Sequence, residues 1–148
     1  MQGVSMKNKK IIIIIKNLKG FKMNSIKEEC SFDNFSALDI RTGTIIEAED
    51  FPKAKKPAYK LKIDFGSLGI KVSSAQITKL YKKEDLIGRK IVAVVNFPKK
   101  QIANFLSECL ILGAIKENGE VALLSVNEDC NNGTSIGWLL FIMKNTPY

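Results

Sequence analysis

Tyr59, Leu61, Ile63 and Phe65 alternate without interruption with Lys60, Lys62 and Asp64. A strict period of two puts the four apolar side chains on one face of a strand and the polar ones on the other. A strand so one-sided needs a second layer, or closure of its own sheet, to cover the apolar face. Residues 90–95 (KIVAVV) form a near-continuous β-branched run, the signature of a strand buried on both faces. These two segments commit the middle of the chain to β structure.

Shorter signals complete the pattern. Residues 40–48 read as a first strand, with Gly43 marking a bend or bulge. Residues 49–58 hold two prolines and three lysines and make a loop. Gly66 and Gly69 turn the chain into a third strand, residues 70–74, with Ile70 and Val72 inward. Ser73 or Ser74 is predicted to cap a helix through Gln76, Ile77, Leu80 and Tyr81, followed by a polar turn over 82–88. Phe97-Pro98-Lys99-Lys100 interrupts the β pattern. Residues 106–115 and 120–125 are two more strands, joined by a hairpin at Glu117-Asn118-Gly119. Ahead of them all, Phe32, Phe35 and Leu38 recur at helical spacing behind Ser31. The expected fold is mainly β: a small closed five-stranded barrel of the OB-fold type. One helix stands between strands three and four, with extra strands or helical turns at the ends. A sandwich would show about seven strands.

Composition narrows the chemistry. The chain has 148 residues, enough for one self-sufficient domain. It contains no histidine, which removes Ser-His-Asp and Cys-His catalysis and His-ligated metal sites. No phosphate-cradling glycine loop, nucleophile elbow or zinc-protease motif is present, and no carboxylate pair stands out for acid–base work. The expectation is a non-enzyme without cofactor or metal. Cys30, Cys109 and Cys130 form no CxxC pair, and an odd number suits reduced thiols in the cytoplasm. Asn34 and Asn132 begin N-x-S/T triplets, but Asn132-Gly133 reads better as a turn.

The net charge of +8 favours a polyanionic partner, yet it is unevenly spread. Seven lysines against Glu28 and Glu29 lie within the first 30 residues, leaving a small excess for the rest. Residues 1–30 therefore read as a basic, disordered leader, residues 31–137 as the domain, and residues 138–148 as an apolar extension. The leader's apolar run, Ile11 to Ile15, is too short for a signal-peptide core of roughly 7–15 residues or a membrane span. An organellar presequence stays open as a second reading. Trp138 to Met143 are expected to be covered at a subunit interface, since exposure would leave an aggregation-prone patch.

Within the domain, Lys53, Lys55, Lys56, Lys60 and Lys62 form one cationic group, and residues 96–101 form a second polar cluster. Basic grooves with aromatic platforms are how OB barrels hold nucleic acid. Phe51, Tyr59 and Phe97 are the candidate platforms, with barrel core as the alternative for each. Lysines outnumber arginines 21 to 2, which suits sequence-tolerant contact with phosphates; a genome rich in Lys, Ile and Asn explains the ratio as well.

The segments DIRTGTI (39–45), FPKAKKPAYKLKIDFG (51–66), IKVSSAQITKLY (70–81), VVNFPKKQI (94–102), SECLILG (107–113) and NNGTSIG (131–137) occur in order. Together they resemble the CsaA group of the tRNA-binding OB-fold family, which is related to domains appended to methionyl-tRNA synthetases. The resemblance implies a homodimer that binds tRNA or another structured RNA, and a second role as a chaperone for unfolded export clients. It also implies that Asn96, Ser107 and Glu108 take part in tRNA recognition; turn closure and backbone capping are the competing roles. Lys99 and Lys100 stand where relatives often carry a proline and arginines, which weakens any bidentate phosphate clamp. The RNA-binding set expected from residues and resemblance together is Lys53, Lys55, Lys56, Lys60, Lys62, Asn96, Lys99, Lys100, Gln101, Ser107 and Glu108. An aminoacyl-tRNA synthetase is a further partner to consider. The rival reading, an export chaperone, requires Phe51, Tyr59, Phe97 and Phe105 to be exposed.

Overall fold

A computed structural model describes residues 25–138. The chain divides into two units, residues 1–30 and 31–148; the described part of the first, residues 25–30, has no helix or strand. Residues 1–24 of the expected leader and residues 139–148 of the apolar extension lie outside the described residues.

The second unit opens with α1 (Phe32–Ser36), whose N-cap Ser31 accepts a hydrogen bond from the Asp33 amide, as the spacing predicts. β1 (Ile40–Asp50) pairs antiparallel with both β2 (Tyr59–Asp64) and β4 (Lys90–Val94). β2 also pairs with β3 (Ile70–Ala75), and β4 pairs with β7 (Leu110–Ile111). The resulting order is β3-β2-β1-β4-β7. The two ends of this sheet meet at a seam: the Glu108 amide donates to the Val72 carbonyl at 2.8 Å, and Ser73 Oγ donates to the Cys109 carbonyl at 2.8 Å. Five strands thus curl into the barrel that the sequence predicts. Its core gathers Ile45, Leu61, Ile63, Phe65, Ile77, Leu86 and Ile91, all essentially without solvent contact.

Several details depart from the sequence reading. Gly43 is not the bulge; the register of β1 against β2 slips between Ile45 and Glu47. Gly43 makes room instead, because a Cβ there would fall 2.7 Å from Ile63 Cγ2 and 2.9 Å from the Phe65 ring. In β3 the inward residues are not Ile70 and Val72. Residues directly opposite share a face, and the register sets Ser73 against Leu61 and Ala75 against Tyr59. Ile70 is exposed and Val72 half-buried. The helix predicted through residues 76–81 is absent, because Ser73 and Ser74 continue the β3 ladder rather than cap it. A single turn survives there, with the Tyr81 amide bonded to the Ile77 carbonyl. The helix between the third and fourth strands is α2 (Lys83–Leu86), where a polar turn was expected; it plugs the barrel with Leu86.

The segment 106–115 is not one strand but three pieces: β6 (Phe105–Ser107), β7, and β8 (Gly113–Ile115). It breaks where Glu108 turns aside to seal the seam. β5 (Lys100–Ile102) and β6 form a separate hairpin. The hairpin expected at 117–119 is present, joining β8 to β9 (Val121–Leu123) with Gly119 at φ 82°. β10 (Ser135–Ile136) pairs with the start of β1, and Gly133 (φ 84°) sits in the Asn132-Gly133 turn.

Candidate nucleic-acid interface

The loop between β1 and β2 is closed by its own backbone: the Phe51 amide bonds to the Ala58 carbonyl, and the Ala54 amide to the Phe51 carbonyl. Phe51 turns inward, 4% exposed, and meets the Phe105 ring edge-on at 5.6 Å. With its aromatic anchored and Pro52 and Pro57 stiffening its flanks, the loop holds Lys53, Lys55 and Lys56 in solvent.

The β5–β6 hairpin faces this loop. Ile102 pairs with Phe105 across a two-residue turn, Ala103-Asn104. Ala103 lies at φ 49°, a left-handed conformation that costs an L residue with a Cβ about 1 kcal/mol. Gln101 Nε2 donates to the Ala103 carbonyl at 2.8 Å and ties the turn down. Between loop and hairpin lies a depression of about 490 Å³, lined by Phe51, Ala58, Ile102 and Ala103, with Lys53, Lys55 and Lys56 at its edge. A second depression, about 300 Å³, lies on the far side of Ile102. Phe97, Pro98, Cys109 and Leu110 give it apolar walls, and Lys100 and Glu108 border it. Ser74 and Ile102 line both.

The eleven residues singled out in the sequence fall into three arrangements. Lys53, Lys55, Lys56 and Lys100 border the two depressions and form no ion pair among the described residues. Lys60 and Lys62 lie elsewhere, around a smaller hollow shared with Glu47 and Glu49. Lys62 Nζ contacts Glu47 Oε2 at 2.8 Å, which raises its pKa above the ordinary lysine value. Lys60 stands opposite Glu49 in the ladder, its ammonium 5.4 Å from the centre of the Phe51 ring. On the strand face that reads as cationic in β2 alone, β1 supplies Glu47, paired with Lys62, and Glu49, opposite Lys60 in the ladder.

The remaining five stitch the fold. Asn96 accepts from the Asp39 amide at 2.8 Å and donates to the Ala37 carbonyl at 2.8 Å, holding α1's exit against β4's end. Ser107 Oγ donates to the Cys109 carbonyl, and Gln101 fixes the hairpin turn. Glu108 accepts from the Val72 amide at 3.0 Å through Oε2 and contacts Lys99 Nζ at 3.1 Å through Oε1. The Val72 hydrogen bond, with help from Lys99, holds the Glu108 carboxyl below its ordinary value. Burial pushes the nearby Cys109 thiol up to about 11, so it is no thiolate nucleophile at neutral pH. Among the described residues no His/Cys/Asp/Glu group could hold a metal ion.

Of the candidate platforms, Phe51 and Tyr59 belong to the core; the Tyr59 hydroxyl donates to the Tyr81 carbonyl. Phe97 alone is open, 46% exposed. Ser74, Gln76 and Ile102 line the depressions but carry no charge or motif to mark them in the sequence. The Ala-Asn turn was the one available signal, and alanine is a poor flag for a left-handed position.

The fold is a small OB-type barrel, with lysines that form no ion pair among the described residues gathered beside apolar hollows. The family profile described as "Putative tRNA binding domain" matches residues 40–135, and the chain belongs to that family. It is 35% identical over 134 residues to a methionine--tRNA ligase of Methanocaldococcus jannaschii, covering 87% of this chain and 20% of that protein. A Bacteroides fragilis methionine--tRNA ligase is 31% identical over 116 residues. The chain thus spans about a fifth of the length of these curated relatives. Among solved structures, the chaperone CsaA of Bacillus anthracis superposes with a TM-score of 0.72 at 55% identity, covering 74% of this chain and all of that one. A methionyl-tRNA-synthetase-related protein of Pyrococcus horikoshii gives 0.67 at 28% identity, covering 75% of this chain and all of that one.

Proposed function

We propose that this chain is a non-catalytic tRNA-binding protein of the cytoplasm that works as a homodimer. The observation that carries this reading is the set of unpaired lysines, Lys53, Lys55, Lys56 and Lys100, bordering two adjoining depressions. Lysine ammonium groups neutralise phosphates one by one and release condensed counterions. Family membership supports tRNA as the polyanion. Asn96, Gln101, Ser107 and Glu108 then act as positioning residues that hold the seam and hairpin. Lys99, already engaged by Glu108, contributes less than its neighbours. Dimerisation is favoured by an apolar groove of about 360 Å³ lined by Leu110, Ile111, Leu112, Ile115, Val121 and Leu123. No helix among the described residues is long and apolar enough to cross a membrane.

The test is titration of the full chain against tRNA across a salt series. Affinity falls by about one log unit per log unit of salt for each phosphate engaged; a flat response contradicts electrostatic capture. A second reading, the holding of unfolded export clients, is favoured by the 55% identity to structures described as CsaA chaperones. Burial of Phe51 and Tyr59 weighs against the aromatic surface it needs. Under it, an unfolded client binds independently of salt and is not displaced by tRNA. A synthetase partner would be recovered by pull-down.

A further inference from the structure

Resting on the RNA-binding reading above, we propose that the two depressions flanking Ile102 each receive one unstacked nucleobase. The RNA feature read at this face is then an unpaired stretch, a loop or an end, rather than the backbone of a duplex. Phosphate capture alone needs only a cationic surface, and a duplex offers no free base face to an apolar hollow. Here the lysines border hollows whose walls are largely apolar: Phe51, Ala58 and Ile102 on one side, Phe97, Pro98, Cys109 and Leu110 on the other. Ser74 and Ile102 line both, so the hollows adjoin as successive bases of one strand would.

Charge complementarity names the occupant. Lys53, Lys55 and Lys56 border the first hollow, and Lys100 the second, leaving phosphates of an unpaired strand within their reach. Phe97 is the one candidate platform left open, and a base stacks on such a ring regardless of sequence. Glu108 borders the second hollow with both carboxylate oxygens already engaged, by the Val72 amide and by Lys99. The hairpin that carries Ile102 holds Ala103 in its left-handed conformation even in the unbound chain. Such strain is stored where the surrounding structure over-determines it, and it keeps the wall between the hollows in place before RNA arrives.

The experiment compares the full chain's affinity for an unstructured RNA of about 12 nucleotides with that for a duplex of equal phosphate number. The single strand is expected to bind about tenfold or more tightly than the duplex, each unstacked base adding to the shared electrostatic contribution. Phe97→Ala removes a solvent-facing ring; it is expected to weaken the single strand about tenfold and leave both duplex affinity and salt slope unchanged. Ser74→Phe crowds the boundary that the two hollows share without altering charge, and is expected to reduce the preference for single strand. Circular dichroism and thermal unfolding check that both variants fold. Equal affinity for single strand and duplex, or indifference to both substitutions while tRNA still binds, overturns this inference and leaves tRNA binding standing. Failure of every RNA to bind overturns both.

Discussion

Lys62 and Lys55 look alike in the sequence, two lysines seven positions apart in one basic stretch, yet the fold treats them oppositely. Lys62 lies in a strand whose neighbour supplies Glu47 at 2.8 Å, whereas Lys55 lies in a proline-flanked loop and forms no ion pair among the described residues. The same division separates Lys100, unpaired, from Lys99, held by Glu108. What matters for binding a polyanion is charge that folding leaves uncompensated, and only pairing between distant segments decides that. Polar residues divide in a parallel way. Asn96, Ser107 and Glu108 spend their hydrogen bonds on the barrel, while the loop lysines spend none.

The sharpest way to break this comparison is charge reversal of the loop lysines beside neutralisation of the strand lysines. Lys53→Glu with Lys55→Glu and Lys56→Glu is expected to weaken tRNA binding by about 100-fold or more, with the melting temperature unmoved. Lys60→Gln with Lys62→Gln is expected to change affinity by less than about threefold. A filter-binding or fluorescence titration decides; equal losses for both sets erase the distinction.

Stability separates the stitching residues next. Gly133→Ala places a Cβ 2.4 Å from the Phe65 carbonyl oxygen at a φ of 84°, and is expected to cost about 2–4 kcal/mol in chemical denaturation. Asn96→Ala leaves the Asp39 amide and Ala37 carbonyl without their partner and costs about 1–2 kcal/mol, with little change in the salt slope of RNA binding. A loss of affinity without loss of stability in Asn96→Ala would move Asn96 to the binding side.

A pH-dependent effect concerns Glu108. Its folded pKa lies below the ordinary value near 4.5, so its stabilising contribution is fully present above that pH. It is lost as pH falls through the lowered folded value. Glu108→Gln is expected to cost about 1–2 kcal/mol at pH 7 and progressively less as pH falls below 4.5. A difference that persists unchanged into acid would mean the carboxylate's bonds to Val72 and Lys99 are unimportant.

Much of the barrel was legible because it rests on periodicity. Tyr59 to Phe65 and residues 90–95 carry their strand character in every residue, and Ser31 and Asn132-Gly133 mark a cap and a turn by local chemistry. The misreadings share one cause: tertiary pairing overrode a local preference. Ser73 caps helices well in isolation, but in this fold it faces Leu61 across a ladder. Residues 106–115 look continuous until Glu108 finds Val72, a partner 36 positions away. At the candidate site the lysines were legible as charge, whereas their division into paired and unpaired sets was not. The lining role of Ile102 and Ser74 was not legible, since lining two hollows leaves no mark in composition.

The central claim, that the uncompensated loop lysines are the phosphate contacts, is tested most directly by the salt dependence of tRNA binding. Log affinity is plotted against log salt for the full chain and for Lys53→Gln with Lys55→Gln and Lys56→Gln. The slope is expected to become shallower by about three, one for each phosphate contact removed. An unchanged slope in that triple variant would contradict the claim.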